Sequence, residues 1–139
     1  MNTQNKSILL IVMLWISLVS CDQKKNDKSS DQDSASAISL IAPADLNKAN
    51  KDILLIDVRT PKEYASGHIE NSVNIDFRAG NFKELLGELD TNQEVYVYCK
   101  MGGRSGSAAK IMEEMGFKKI YDLKGGIMEW EKEGFKKVN

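Results

Sequence analysis

Residues 95–116, VYVYCKMGGRSGSAAKIMEEMG, contain the pattern that decides the fold of this chain. The first four residues form an apolar, β-prone run with no polar alternation, which is typical of a strand buried on both faces of a sheet. After the glycines, apolar residues recur at helical spacing and Gly116 follows as a typical helix stop; these residues are Ala108, Ile111, Met112 and Met115. A strand that leads through a short turn into a helix is the repeating unit of an α/β domain.

Comparable patterns lie on both sides of this unit. Apolar runs at 53–56 and 120–123, and a weaker one at 39–41, predict further strands. Another helical pattern starts after Asn81, a possible cap, with apolar residues at Phe82, Leu85, Leu86 and Leu89. We therefore expect one α/β domain over 38–139, with a mostly parallel sheet flanked by helices and a ligand site at the carboxyl ends of the strands.

The N-terminal segment has the anatomy of a signal peptide. Lys6 precedes an apolar run at 8–19, which is shorter than the roughly 20 residues of a transmembrane helix. Leu18-Val19-Ser20-Cys21 resembles the bacterial lipobox, in which the cysteine becomes the lipidated first residue of the mature protein. We expect a signal peptide at 1–20 and an exported protein that lipid on Cys21 anchors to a membrane of the cell envelope; an uncleaved N-terminal anchor is the alternative.

Residues 22–37, DQKKNDKSSDQDSASA, lack aromatic, β-branched and large aliphatic side chains. Such a segment buries too little surface to offset the entropy of ordering, so we expect 21–37 to be the lipidated cysteine and a flexible tether. The chain has 19 Lys+Arg against 20 Asp+Glu and no strongly basic block, which argues against a nucleic-acid partner.

The chain has two cysteines and one histidine. With Cys21 lipidated, Cys99 is the one free thiol, so no intramolecular disulfide is expected. One histidine and one thiol do not supply a set of zinc ligands, and we expect neither a metal nor a cofactor.

Cys99 follows a predicted buried strand and precedes a helix expected over about 104–115. The backbone N–H groups of such a turn, the helix dipole and the charges of Lys100 and Arg104 favour an anion, so a thiolate there has a lowered pKa. The alternative is an inert buried cysteine, the commoner fate of free cysteines. Such a residue is expected in mid-strand or on the apolar face of a helix.

The segment Tyr98–Ser105 resembles the Cys-x-x-Gly-x-Arg-Ser active loop of single-domain rhodaneses. Segments before and after it are similar to the family's other signatures: Ile56-Asp57-Val58-Arg59, Glu63-Tyr64, Gly67-His68-Ile69, Asn74-Ile75, Gly116-Phe117, Leu123-Lys124-Gly125-Gly126 and Trp130. The resemblance covers nearly all of 38–135. It implies the rhodanese-like fold, a mostly parallel sheet flanked by helices with the active loop at a strand's carboxyl end.

The resemblance also implies sulfur transfer. The Cys99 thiolate would take the outer sulfur of a small anionic donor such as thiosulfate and pass it from a persulfide to cyanide or a thiol. The loop formed by Lys100, Met101, Gly102, Gly103 and Arg104 would bind the substrate through its backbone N–H groups, with Arg104 and Lys100 attracting the donor anion. The alternatives are that Lys100 is a solvated cation and that Arg104 caps carbonyls or pairs with a carboxylate.

Three further residues have candidate roles near the same sheet edge. Asp57 and Arg59 follow a strand, and Glu63 lies one turn beyond Arg59, within reach of a salt bridge. A structural role and support of the Cys99 loop are both open for this group, with Asp57 the better candidate for support.

The resemblance implies that His68 stabilises a turn; the alternative is a general base for Cys99. Gly125, Gly126 and Trp130 are interpreted as turn and packing residues.

Two other functional classes compete with this prediction. Some phosphatases and arsenate reductases share the fold and use a cysteine in the same place, but they resemble Cys-x5-Arg, whereas four residues separate Cys99 from Arg104 here. The other class is a non-enzymatic module that binds partners or carries sulfane sulfur to a protein acceptor. Binding modules of this kind often lack the cysteine, which this chain retains.

Overall fold

The computed structural model of this chain describes residues 36–49 and 52–139. The predicted signal peptide, Cys21 and nearly all of the predicted tether lie outside these ranges. The elements in chain order are β1 (Ile38–Ile41), α1 (Pro43–Lys48), β2 (Leu54–Asp57), α2 (Pro61–Ala65), β3 (Val73–Asn74), α3 (Phe82–Gly87), β4 (Val95–Tyr98), α4 (Gly103–Glu114), β5 (Ile120–Leu123) and α5 (Gly126–Lys132). None of the helices within the described ranges is long and apolar enough to cross a membrane.

The five strands form one parallel sheet in the order β1-β5-β4-β2-β3. This arrangement confirms the predicted α/β class with a parallel sheet flanked by helices. Strand β4 is central, with Asp57 of β2 opposite Tyr98 and Asp122 of β5 opposite Val97. Because the strands are parallel, the segments that follow β2, β4 and β5 leave the sheet at the same edge.

Both faces of the sheet carry a hydrophobic core. Helices α3 and α4 cover one face, where the buried residues are Ile56, Val58, Ile75, Phe82, Leu86, Val95, Val97, Cys99, Ala108, Ala109, Met112, Phe117 and Ile120. Helices α1 and α5 cover the other, with Leu46, Leu55, Ile69, Tyr96, Tyr98, Leu123, Ile127 and Trp130. The residues of β4 alternate between the two cores and are all buried, as the unbroken apolar run predicts.

Several element boundaries differ from the sequence prediction. The strand expected at 53–56 lies one residue later, and the helix expected from residue 104 begins at Gly103. Helices α1, α2 and α5 do not follow from periodicity, because elements of five to seven residues span less than two helical turns. Gly126 and Trp130, interpreted as turn and packing residues, belong to α5.

Candidate active site

The Cys99 side chain lies where β4 ends and the chain turns into α4. It is 2% exposed. Its Sγ accepts a hydrogen bond from the Gly102 backbone N–H at 3.1 Å and one from the Ser105 hydroxyl at 3.6 Å. Gly102 has φ of 103°, in the left-handed region that favours glycine, and the next residue begins α4. The loop therefore encloses the sulfur with hydrogen-bond donors.

These donors set the acidity of the thiol. Burial raises the pKa of Cys99. Hydrogen bonds from the hydroxyl and backbone N–H of Ser105 and from the N–H groups of Met101 and Gly102 together lower it by more, so the net pKa is below the ordinary value. The direction agrees with the sequence prediction. The chief contributors are hydrogen bonds rather than the charges of Lys100 and Arg104. A negatively charged sulfur is thus favoured at this position.

Helix α5 holds the Cys99 loop from the opposite side. The Ile127 N–H donates to the Cys99 carbonyl at 2.9 Å, and the Met128 N–H donates to the Lys100 carbonyl at 3.2 Å. Gly126, at φ of 62°, makes this approach possible, because a Cβ there would lie 2.5 Å from the Cys99 carbonyl oxygen. The sequence signal for this role is the Gly125-Gly126 pair, one residue after the end of β5.

The guanidinium of Arg104 forms two hydrogen bonds of 2.7 Å to the Glu63 carboxylate. Thr60 caps α2 and also binds Glu63, through its backbone N–H at 3.1 Å and its hydroxyl at 2.9 Å. The pairing raises the pKa of Arg104 and holds the pKa of Glu63 well below its usual range. Arg104 therefore pairs with a carboxylate, as one of the sequence alternatives has it.

Arg59 and Glu63, which the sequence places within reach of a salt bridge, do not form one, because each side chain has another partner. Arg59 instead binds Asp57, with Nη2 2.6 Å from Oδ2, and both side chains are buried. Arg59 Nη2 also donates to the Gly67 carbonyl at 2.8 Å, and its guanidinium lies 5.7 Å from the centre of the Tyr98 ring. The Asp57–Arg59 pair thus supports the residue before Cys99 and the turn at Gly67.

Lys100 and Met101 belong to the Cys99 loop, and His68 lies in the segment that follows α2. Lys100 and Met101 are exposed at the mouth of the loop, and Met101 is 67% exposed. His68 stacks on the Tyr64 ring at 3.8 Å, and its Nδ1 lies 3.2 Å from the Tyr64 carbonyl oxygen. These contacts fit the implied turn-stabilising role of His68.

Two polar residues near the sheet edge, Ser105 and Asp122, had no predicted role of their own. Ser105 contacts the sulfur directly, and Asp122 is a buried carboxyl group in the neighbouring strand β5. A detectable signal for Asp122 was an acidic residue inside the apolar run IYDL at 120–123.

Known proteins share both the sequence and the fold of this domain. Residues 42–133 match the family model described as Rhodanese-like domain. The chain is 42% identical over 76 residues to the Bacillus subtilis protein YqhL, covering 55% of this chain and 59% of that protein. It is 31% identical over 84 residues to a sulfurtransferase of Allochromatium vinosum, covering 60% and 77%. It is 35% identical over 81 residues to thiosulfate sulfurtransferase GlpE of Coxiella burnetii, covering 58% and 74%.

A solved structure agrees with these sequence matches. The crystal structure of a rhodanese-related protein from Thermoplasma volcanium superposes with a TM-score of 0.64 at 35% identity, covering 70% of this chain and 95% of that one. The family model spans the elements from α1 to α5, which include β2 to β5 and the cysteine loop. The chain accordingly belongs to the rhodanese-like domain family.

Proposed function

We propose that this protein is a sulfurtransferase that carries a sulfane sulfur as a persulfide on Cys99. The observation that carries the proposal is the convergence of the Gly102 N–H and the Ser105 hydroxyl on Cys99 Sγ, which stabilises a thiolate. The same donors suit a persulfide, whose terminal sulfur is also negatively charged. The names of relatives in Allochromatium and Coxiella support sulfur transfer as the reaction class.

The reaction takes place in two steps. The Cys99 thiolate attacks the outer sulfur of thiosulfate, the sulfur–sulfur bond of the donor breaks, and sulfite leaves with the bonding electron pair. Cyanide or a thiol then attacks the outer sulfur of the persulfide, and Cys99 departs as a thiolate. No external oxidant is needed. Cys99 is the nucleophile of the first half-reaction and the leaving group of the second, which predicts ping-pong kinetics.

Thiosulfate is the donor we propose, because the Coxiella relative is named for it and the loop mouth is positively charged. Lys100 is exposed there, while Arg104 is shared with Glu63. A thiosulfate anion that binds Arg104 competes with the Glu63 carboxylate for the N–H groups of the guanidinium. The steady-state test is thiocyanate formation by the purified chain from thiosulfate and cyanide. Parallel double-reciprocal lines support the proposal, and no turnover with any sulfane donor contradicts it.

Substitution of Arg104 tests its role in donor binding. Arg104→Ala is expected to lower kcat/KM for thiosulfate by about ten- to a hundredfold, because a charge-assisted hydrogen bond to the donor is lost. Lys100→Ala is the matched control, since it removes an exposed cation of the same loop, and we expect a loss of less than about tenfold. Equal losses in the two variants would show that only the net charge of the loop matters.

We also propose that the protein is exported and attached to a membrane of the cell envelope by lipid on Cys21. The support is the apolar run at 8–19 followed by Leu18-Val19-Ser20-Cys21. Cys21→Ser is expected to release the protein from the membrane fraction or to block its maturation, as membrane fractionation and intact mass would show. Unchanged processing and attachment of this variant would identify the apolar run itself as the anchor.

A further inference from the structure

The guanidinium of Arg104, which is expected to attract the sulfur donor, is already bound to a carboxylate. Its Nη1 and Nη2 donate to different oxygens of Glu63, and both distances are 2.7 Å. Two parallel hydrogen bonds between charged groups are among the strongest contacts that an arginine makes. The two side chains are 18% and 33% exposed, so water screens the pair only in part. Glu63 therefore balances the positive charge of Arg104 before any donor binds.

Glu63 is fixed in this position from its other side. Thr60 donates to Glu63 Oε2 through its backbone N–H at 3.1 Å and through its hydroxyl at 2.9 Å, and this hydroxyl accepts from the Glu63 N–H at 3.3 Å. The resulting capping box ties the carboxylate to the first turn of α2. These contacts and Arg104 hold the pKa of Glu63 well below its usual range, so the group stays charged near neutral pH.

Arg104 belongs to the segment that surrounds the reacting sulfur. Residues on both sides of it contact Cys99 Sγ: the Gly102 N–H lies at 3.1 Å and the Ser105 hydroxyl at 3.6 Å. An anion that enters this loop must either displace Glu63 from the guanidinium or bind the remaining N–H groups beside the carboxylate. The first route breaks two charge-assisted hydrogen bonds, and the second places two negative charges together. An uncharged reagent meets neither cost.

We propose that Glu63 is a specificity-determining residue that disfavours anionic sulfur donors by holding the guanidinium of Arg104. This inference rests on the proposed function in one respect, that the donor reacts at Cys99 beside Arg104. Glu63 takes no part in the bond changes of the reaction. It sets how tightly the loop binds the charged end of a donor, so neutralising Glu63 strengthens the binding of thiosulfate.

Glu63→Gln separates the charge from the fold. A glutamine also forms a capping box, because its amide oxygen accepts from Thr60. Its NH₂ group is a donor that replaces one carboxylate oxygen, so at least one hydrogen bond from Arg104 is lost together with the charge. Glu94→Gln is the matched control. Glu94 also binds a cation, Lys119, at 2.7 Å, but it precedes β4 and so lies at the opposite edge of the sheet.

The first measurement compares two alkylating reagents that differ in charge. Iodoacetate is an anion and iodoacetamide is neutral, and both react with the Cys99 thiolate, so the ratio of their rates cancels any change in the thiol pKa. The Cys99 peptide is identified by mass so that Cys21 does not interfere. Glu63→Gln is expected to raise the ratio of the iodoacetate rate to the iodoacetamide rate by about three- to tenfold. Glu94→Gln is expected to leave this ratio at the wild-type value.

A double variant tests whether Glu63 acts through Arg104. In an Arg104→Ala background, Glu63→Gln is expected to raise the alkylation ratio by less than about twofold, because most of the effect passes through the guanidinium. Steady-state kinetics gives a separate readout. Glu63→Gln is expected to raise kcat/KM for thiosulfate by about three- to tenfold, mainly through a lower KM, since the charge affects binding.

Four results would overturn the inference: an unchanged or lower alkylation ratio in Glu63→Gln, the same rise in Glu94→Gln, an equal rise with and without Arg104, or a raised KM for thiosulfate in Glu63→Gln. Denaturant unfolding checks that each variant folds. If Glu63→Gln does not fold, Glu63→Met, whose side chain has a similar length and no charge, is measured in its place. Failure of the wild type to turn over thiosulfate would contradict the proposed function, whereas the alkylation ratio would still decide the role of Glu63.

Discussion

Replacing Gly126 by alanine is expected to displace the Cys99 loop and to lower sulfurtransferase kcat/KM by about a hundredfold or more. The new Cβ would lie 2.5 Å from the Cys99 carbonyl oxygen and 2.7 Å from the Lys100 carbonyl carbon. Both atoms belong to backbone carbonyl groups whose oxygens accept the hydrogen bonds from α5, so they cannot move aside as a flexible side chain would. The φ of 62° adds strain of about 1–2 kcal/mol for any residue with a Cβ.

Gly116→Ala is the matched control for this prediction. Gly116 also has a positive φ, 95°, but a Cβ there meets no atom within 4 Å. We expect it to lower the free energy of unfolding by about 1–2 kcal/mol while thiosulfate turnover stays near the wild-type rate. Denaturant unfolding and thiocyanate formation measure the two effects separately. Wild-type activity in Gly126→Ala would show that the contact with α5 does not position the thiol.

The second large effect is expected from Cys99→Ser, which should reduce thiocyanate formation to the uncatalysed rate. A serine hydroxyl stays protonated near neutral pH and forms no persulfide. The fold should tolerate the change, because the hydroxyl is nearly isosteric and the Gly102 N–H that bonds the sulfur remains as a donor. We expect the free energy of unfolding to change by no more than about 1 kcal/mol.

Cys21→Ser is the control for this variant, since it removes the other cysteine of the chain. Turnover by the purified Cys21→Ser protein should equal that of the wild type. Substantial thiosulfate turnover by Cys99→Ser, with normal unfolding, would show that another group accepts the sulfur.

The parts of the fold that follow from sequence are those in which burial dictates the residue pattern. A central strand buried on both faces requires an unbroken apolar run, so 95–98 is recognisable by itself. The helix after the cysteine is long enough for its apolar spacing to be read. Strand β3 has two residues, and its position depends on pairing with β2 rather than on a pattern of its own.

In the candidate site, too, the local features follow from the sequence and the long-range contacts do not. The position of Cys99 follows from the order of strand, glycine turn and helix, all of which are local in sequence. Glu63 binds Arg104, which is 41 residues away, and does not bind Arg59. This choice depends on the packing of α2 near the N-terminus of α4. The burial of Asp122 beside Val97 likewise depends on the register of β5 against β4, which one sequence does not specify.

The central claim is that Cys99 carries the transferred sulfur, and the mass of the Cys99 peptide tests it most directly. The purified chain is incubated with excess thiosulfate and desalted, and the peptide is then weighed before and after addition of cyanide. The account predicts a gain of one sulfur atom on Cys99, which cyanide removes as thiocyanate forms. An unmodified Cys99 after thiosulfate and after polysulfide, together with efficient hydrolysis of an aryl phosphate, would contradict the account and identify a phosphatase.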